Sequence, residues 1–206
     1  METAKIDRNI VFSIILKHID TSDYATRLME IAMHSLMQAM QELQIFSDSV
    51  LKPLSQTRSA NKNHGNIADI ELLECGQIVE AWDAKYGQSY LRDEIEELSE
   101  NLQVYLDVLK VGFVTSIKPE RFEELEPRCR EIEKDFGVSI EILTFEEWVK
   151  ARFNRVSSED LIVEQELAAR WLKAYTESLA QLRLDMAPID EPCYQWLLSL
   201  NEILKL

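Results

Sequence analysis

The chain has 206 residues, 46% of them hydrophobic, which is enough for a substantial core and excludes a disordered chain. Its formal net charge of −15 weighs against nucleic-acid binding, because a polyanion prefers a basic surface. Three cysteines, Cys75, Cys129 and Cys193, are odd in number and far apart, which excludes a disulfide framework and paired metal-ligand spacing and reads as thiols of a reducing cytosol.

No apolar run approaches the length of a bilayer span, so a cytoplasmic protein without a membrane partner is expected. The N-terminal "METAKIDRNIVFSIILKHID" has charges on both sides of its apolar patch and no small-residue cleavage site, so it reads as a helix and not a signal peptide. Asp7 can cap this first helix, and Thr21 or Ser22 can start a second over "DYATRLMEIAMHSLMQAMQELQIF". There Leu28, Ile31, Ala32, Leu36, Ala39 and Met40 recur at helical spacing, opposite a polar stripe of Arg27, Glu30, His34 and Gln38. His34 reads as a lone surface histidine.

Residues 51–66, "LKPLSQTRSANKNHGN", form a loop with no acid and several bases, Lys52, Arg58 and Lys62, with His64 beside them. Strand and helix then alternate. "IADIELLE" is a strand, "CG" a turn and "QIVEAWDAKYG" a second strand. A helix follows over "SYLRDEIEELSENLQVYLDVL", with Leu91, Ile95, Leu98, Leu102 and Leu106 on one stripe. "KVGFVTSI" is a strand, "PERFEELEPRCREIEKDFG" a helix closed by Gly137, and "VSIEIL" a strand. A Thr144–Glu147 capping box opens the helix "TFEEWVKARF". Leu161, Leu167, Ala168, Trp171, Leu172, Tyr175, Leu179 and Leu182 stripe a long helix, and Asp190 with Pro192 starts a last one. The predicted fold is α/β (α+β), a mixed central sheet flanked by helices. It is read as a single domain over 1–206, with N-terminal helices in 1–50, the sheet core in 51–155 and a C-terminal helical extension in 156–206.

One strand carries unusual chemistry. Alternation places Val79, Ala81, Asp83 and Lys85 on one face, with Glu80 and Trp82 on the other. Buried charges are costly unless paired or bound to a metal. If the two strands form a hairpin around Cys75–Gly76, Asp69 and Asp83 converge at one end. Two carboxylates beside a lysine suit a hard divalent cation and a phosphodiester, since carboxylate oxygens hold Mg²⁺ and leave positions for water and phosphate. The plain alternative is a salt bridge at a strand end. The acidic run "RDEIEELSE" reads as a solvated helix face without a role.

The segment "IADIELLECGQIVEAWDAKYG" resembles the PD-(D/E)xK nuclease superfamily, whose best-known members are type II restriction endonucleases. Asp69 matches the first motif acid, with Ala68 where the family often has proline, and Asp83-Ala84-Lys85 matches the D/E-x-K tripeptide. The resemblance covers residues 22–148 in element order: a helix, a hairpin carrying the motif, a helix, then strand–helix–strand. It implies a restriction-endonuclease-like core and Mg²⁺-dependent hydrolysis of DNA phosphodiesters. Asp69 and Asp83 would bind the metal, helped by the Ala84 carbonyl, and Lys85 would orient or activate the attacking water. Glu30 matches a glutamate that many members place on the preceding helix. Lys52, Arg58, Lys62, His64 and Arg92 are candidates for phosphate contact. Cleavage of a palindromic duplex implies a homodimer.

The acidic balance can be localised. Between residues 50 and 92, Lys52, Arg58, Lys62, Lys85 and Arg92 balance Asp69, Glu71, Glu74, Glu80 and Asp83, so the whole excess of −15 lies outside this segment. Binding that weakens steeply with salt is expected. Two rivals remain open: a repair, recombination or mobile-element nuclease of the same fold, and an acidic α/β interaction module in which Asp83–Lys85 is structural.

Overall fold

A computed structural model describes residues 7–46, 48–54, 67–88, 90–156, 161–184 and 191–205. In chain order the elements are α1 (Arg8–Asp20), α2 (Ala25–Glu42), β1 (Val50–Leu51), β2 (Ile70–Glu74), β3 (Gln77–Lys85), α3 (Arg92–Leu102), β4 (Lys110–Thr115), α4 (Phe122–Phe136), β5 (Ser139–Thr144), α5 (Phe145–Phe153), α6 (Leu161–Leu184) and α7 (Cys193–Leu204). The fold is α/β with a mixed five-stranded sheet. The chain divides into two compact units, one helical (Met1–Ser47, Leu54–Arg58 and Val149–Leu206) and one built on the sheet (Asp48–Pro53 and Ser59–Trp148). The terminal segments, expected as separate additions to a single domain, therefore fold together as one helical unit.

In the helical unit, α6 packs against α1, α2 and α7. The predicted stripe of α6 is its buried face, with Leu167, Ala168, Trp171, Tyr175, Leu179 and Leu182 all buried. The Leu161 side chain and Asp190 lie outside the described residues. The Asp7 carboxylate accepts the Ile10 N–H at 2.9 Å, as the capping signal at the start of α1 predicts. The expected start of α2 at Thr21 or Ser22 is corrected. Thr21 instead closes α1, its hydroxyl donating to the Lys17 carbonyl at 2.7 Å, and α2 begins after Tyr24, whose φ is +62°. The polar stripe of α2 is not a solvated face, since Arg27 and His34 are buried. A helix covered on several sides buries its polar residues when they find partners, and Arg27 pairs with both Glu30 and Glu191. Nor is His34 a surface histidine.

In the sheet unit the strands lie in the order β1-β2-β3-β4-β5. β1 and β2 run antiparallel, as do β2 and β3, while β3, β4 and β5 run parallel. The parallel pairs follow from the sequence order, because α3 and α4 supply the crossovers that parallel neighbours need. Cys75 and Gly76, at φ +49° and +84°, make the two-residue hairpin turn between β2 and β3. The register shifts between Leu72 and Leu73, so Ile78, and not the predicted Val79, joins Ala81 in the core.

That core lies on the face covered by α3 and α4. Ile95, Leu98 and Leu102 of α3 and Leu125, Cys129 and Ile132 of α4 meet Ala81, Val111 and Phe113 of the strands. The opposite face carries the buried Ile70, Leu72, Trp82, Ala84 and Val114, with Trp148 edge-on to Trp82 at 6.1 Å between ring centroids. Gly112, opposite Trp82 in the parallel register, makes room for the indole: a Cβ there would lie 2.3 Å from Trp82 Cζ3.

Several expected extents change: β2 starts at Ile70 and not at Ile67, β4 ends at Thr115, and α4 starts at Phe122 and not at Pro119. The helix predicted to continue through Leu106 ends at Leu102, which leaves Leu106 75% exposed. Residue 51, read as loop, belongs to β1.

Candidate active site

The site is built at the end of the β2–β3 hairpin remote from its turn. Ile70 pairs with Trp82 and Glu71 with Ala81. One step further in this antiparallel register sets Asp69 opposite Asp83, and directly opposed residues share a face. Asp69 thus faces Asp83 on the side of the sheet covered by α3 and α4. The contact is close. Burial raises the Asp83 pKa well above its ordinary value, the charge of Asp69 and a hydrogen bond between the two carboxyls add to the rise, and Lys85 opposes it. Asp83 therefore holds its proton to higher pH than a lone surface aspartate does. Asp69 is also fixed from the backbone, its Oδ2 accepting the Ala84 N–H at 2.9 Å.

Lys85 ends β3 on the same face. Its ammonium lies 2.7 Å from Asp83 Oδ2 and 2.6 Å from Glu94 Oε2. Burial works to lower its pKa, but the charges and hydrogen bonds of Asp83 and Glu94 hold it above the ordinary lysine value. Lys85 is thus a retained positive charge and a directed donor. Glu94 reaches it from the first turn of α3. Between them the chain reverses at Gly87, which has φ +72° and donates its N–H to Ser116 Oγ at 3.0 Å.

Glu71 supports the aspartates from below. It is 2% exposed, and its Oε1 accepts the backbone N–H groups of Ile67 at 2.5 Å and Ala68 at 3.2 Å. Lys52 neutralises it, with Nζ 2.6 Å from Oε2. A buried carboxylate so satisfied pins the segment that presents Asp69.

The structure therefore joins Asp69, Asp83, Ala84 and Lys85 as the spacing predicts. It places the other candidates elsewhere. Glu30 belongs to the helical unit, where Arg27 pairs with it. Lys52 serves as the partner of Glu71. Arg92 is the first residue of α3 and borders a cleft of about 270 Å³ shared with Glu124, Arg128 and Glu131. Arg58, Lys62 and His64 lie outside the described residues. Two participants escaped the sequence reading. Glu71 carried a signal, an acid two residues after Asp69 on the same strand face. Glu94 carried none, since it sits among acids that look alike.

Two opposed carboxylates, with the proton affinity of Asp83 raised, are a hard, oxygen-only donor set that a divalent cation would relieve. Among the described residues no third carboxylate, histidine or cysteine joins them in a ligand cluster. The set suits Mg²⁺, which keeps several waters and takes one or two protein carboxylates. No helix among the described residues is long and apolar enough to cross a membrane. No family model matches the chain, and no curated protein matches it.

Proposed function

We propose that the protein is a Mg²⁺-dependent endonuclease that hydrolyses phosphodiester bonds of double-stranded DNA, in the manner of a type II restriction endonuclease acting as a homodimer. One observation carries this reading: Asp69 and Asp83 oppose each other across the hairpin, with the charged Lys85 against Asp83. The order around them, a hairpin, α3, then β4–α4–β5, is the order the PD-(D/E)xK resemblance implies.

Asp69 and Asp83, with the Ala84 carbonyl, would hold the cation. When bound, the cation supplies Lewis-acid stabilisation of the phosphate and a more acidic water. The chain's own residues do the rest. Asp69 is oriented by the Ala84 N–H and by the pinned segment before it. Lys85 directs the attacking water and offsets the negative charge that grows on the phosphate. Because Asp83 and Glu94 both hold it charged, Lys85 orients by donation and does not serve as the base.

Mixed plasmid and genomic DNA, incubated with Mg²⁺ and the parent, Asp83→Ala or Lys85→Ala protein, tests the reading. Discrete fragments from the parent and at least about a hundredfold less cleavage by either variant are expected. No cleavage of any DNA by the parent, with both variants as stable as the parent, overturns it. The Asp83–Lys85 pair would then be the structural feature of an acidic interaction module.

A further inference from the structure

The site already contains a cation of its own. The Lys85 ammonium touches Asp83 and Glu94 at nearly equal distances, 2.7 and 2.6 Å, from two different elements, β3 and α3. The three side chains are only about a fifth exposed, at 17, 22 and 23%. A divalent cation entering between Asp69 and Asp83 needs the Asp83 carboxylate that Lys85 now holds through Oδ2, and like charges so close repel. Taking Asp83 from Lys85 would leave a half-buried ammonium without a counter-ion, which is costly. Glu94 removes that cost, because it stands at full contact distance before any exchange begins. Its other oxygen is steadied by Gln88, whose amide nitrogen lies 3.4 Å away.

We infer that Glu94 is a positioning residue that retains the Lys85 ammonium while Asp83 changes partner from Lys85 to a divalent cation. This rests on the nuclease reading in one respect, that Asp69 and Asp83 hold the metal. Glu94 itself touches neither metal nor phosphate in this assignment. It keeps Lys85 beside the phosphate after the exchange, where an ammonium without an anchor would swing out to solvent.

The decisive property is that Glu94 acts only through Lys85, and a double-mutant cycle on metal affinity reads that directly. Mn²⁺ binding is measured by calorimetry on the full chain without DNA, for the parent, Glu94→Gln, Lys85→Met and the double variant, with circular dichroism to establish that each is folded. Glu94→Gln is expected to bind Mn²⁺ about five- to tenfold more weakly, the range of one partly buried ion pair. Lys85→Met is expected to bind more tightly than the parent, and the double variant to match Lys85→Met. Two results would overturn the inference: a Glu94→Gln affinity equal to that of the parent, or a loss that persists in the Lys85→Met background, which would make Glu94 a direct ligand or a mere source of negative field. Failure of the underlying reading looks different. A parent that binds no Mn²⁺, or binds it equally well as Asp83→Asn, removes the metal site before any Glu94 comparison is made, and the inference falls with it.

Discussion

Asp83 is the residue on which opposing electrostatic effects meet. Burial and the Asp69 carboxylate favour its neutral form, and these outweigh the attraction of Lys85. A carboxyl whose folded pKa is raised stabilises the fold below its unfolded value, here the ordinary 3.8, and that contribution is lost as the pH rises through the folded pKa. Asparagine has the shape of the protonated acid and cannot ionise. In the absence of divalent cations, Asp83→Asn should therefore match the parent's melting temperature in acid and exceed it at neutral pH. Thermal melts across pH in the presence of a chelator check this. Added Mg²⁺ should close the gap by stabilising the parent alone. A variant less stable than the parent at neutral pH would mean that the ion pair with Lys85, and not the repulsion from Asp69, dominates the site. The legibility of this centre followed the geometry of hairpins. With Cys75–Gly76 as the turn, the hairpin brings Asp69 and Asp83 to the same end, but unbroken pairing from Glu74 and Gln77 would set Asp69 against Trp82. It is the register shift between Leu72 and Leu73, which sequence separation does not give, that sets Asp69 opposite Asp83. Glu94 depends on how α3 is rotated and seated over the sheet, which no local spacing encodes.

At the scale of elements, the sequence disclosed what is local and concealed what depends on neighbours. The Thr144–Glu147 box forms as written: the Glu147 N–H donates to Thr144 Oγ1 at 3.2 Å, and the Thr144 N–H to Glu147 Oε2 at 2.8 Å. Gly137 ends α4 at φ +69°, as a C-terminal glycine should. By contrast β1 pairs, among the described residues, with Leu72 and Leu73, about twenty residues along the chain, and its two residues have no periodicity to read. The polar stripe of α2 misled for the same reason, since its burial is decided by α6 and by Glu191. The junction of β3 and β4 is another non-local feature. The face of β3 turned away from Asp83 carries Trp82, which lies across Gly112 and donates its Nε1–H to Glu80 at 2.6 Å. A methyl group at position 112 would also lie 2.7 Å from the Glu141 backbone carbonyl, which cannot rotate aside. Gly112→Ala should thus cost roughly 1–3 kcal/mol, the range for overpacking a filled core. Urea unfolding would show this as a lower midpoint with an unchanged slope. An unaltered midpoint would mean that Trp82 has an alternative seat.

For the molecule as a whole, charge sets the terms on which it can meet DNA. The −15 lies outside residues 50–92, and two bases of that segment, Lys52 and Lys85, are held by acids of the sheet unit. The attraction available for phosphate is correspondingly modest, and the repulsion is long in range. The two respond to salt in opposite directions. Repulsion between the net charges reaches about 30 Å at 0.01 M salt and about 8 Å at 0.15 M, so added salt relieves it. Phosphate contacts release counterions, so added salt weakens them throughout. Their sum should give an affinity for duplex DNA that is nearly flat at low ionic strength and falls steeply once the Debye length is shorter than the separation of the opposing charges. Fluorescence anisotropy of a labelled duplex, titrated with Asp83→Asn protein from about 0.01 to 0.3 M salt, measures the curve without cleavage. Charge-reversing acids of α4 such as Glu123 and Glu126 to lysine should raise the low-salt limb and leave the high-salt slope unchanged, because they alter the field and not the number of phosphate contacts. A slope that steepens with each reversal would show instead that α4 lies on the DNA.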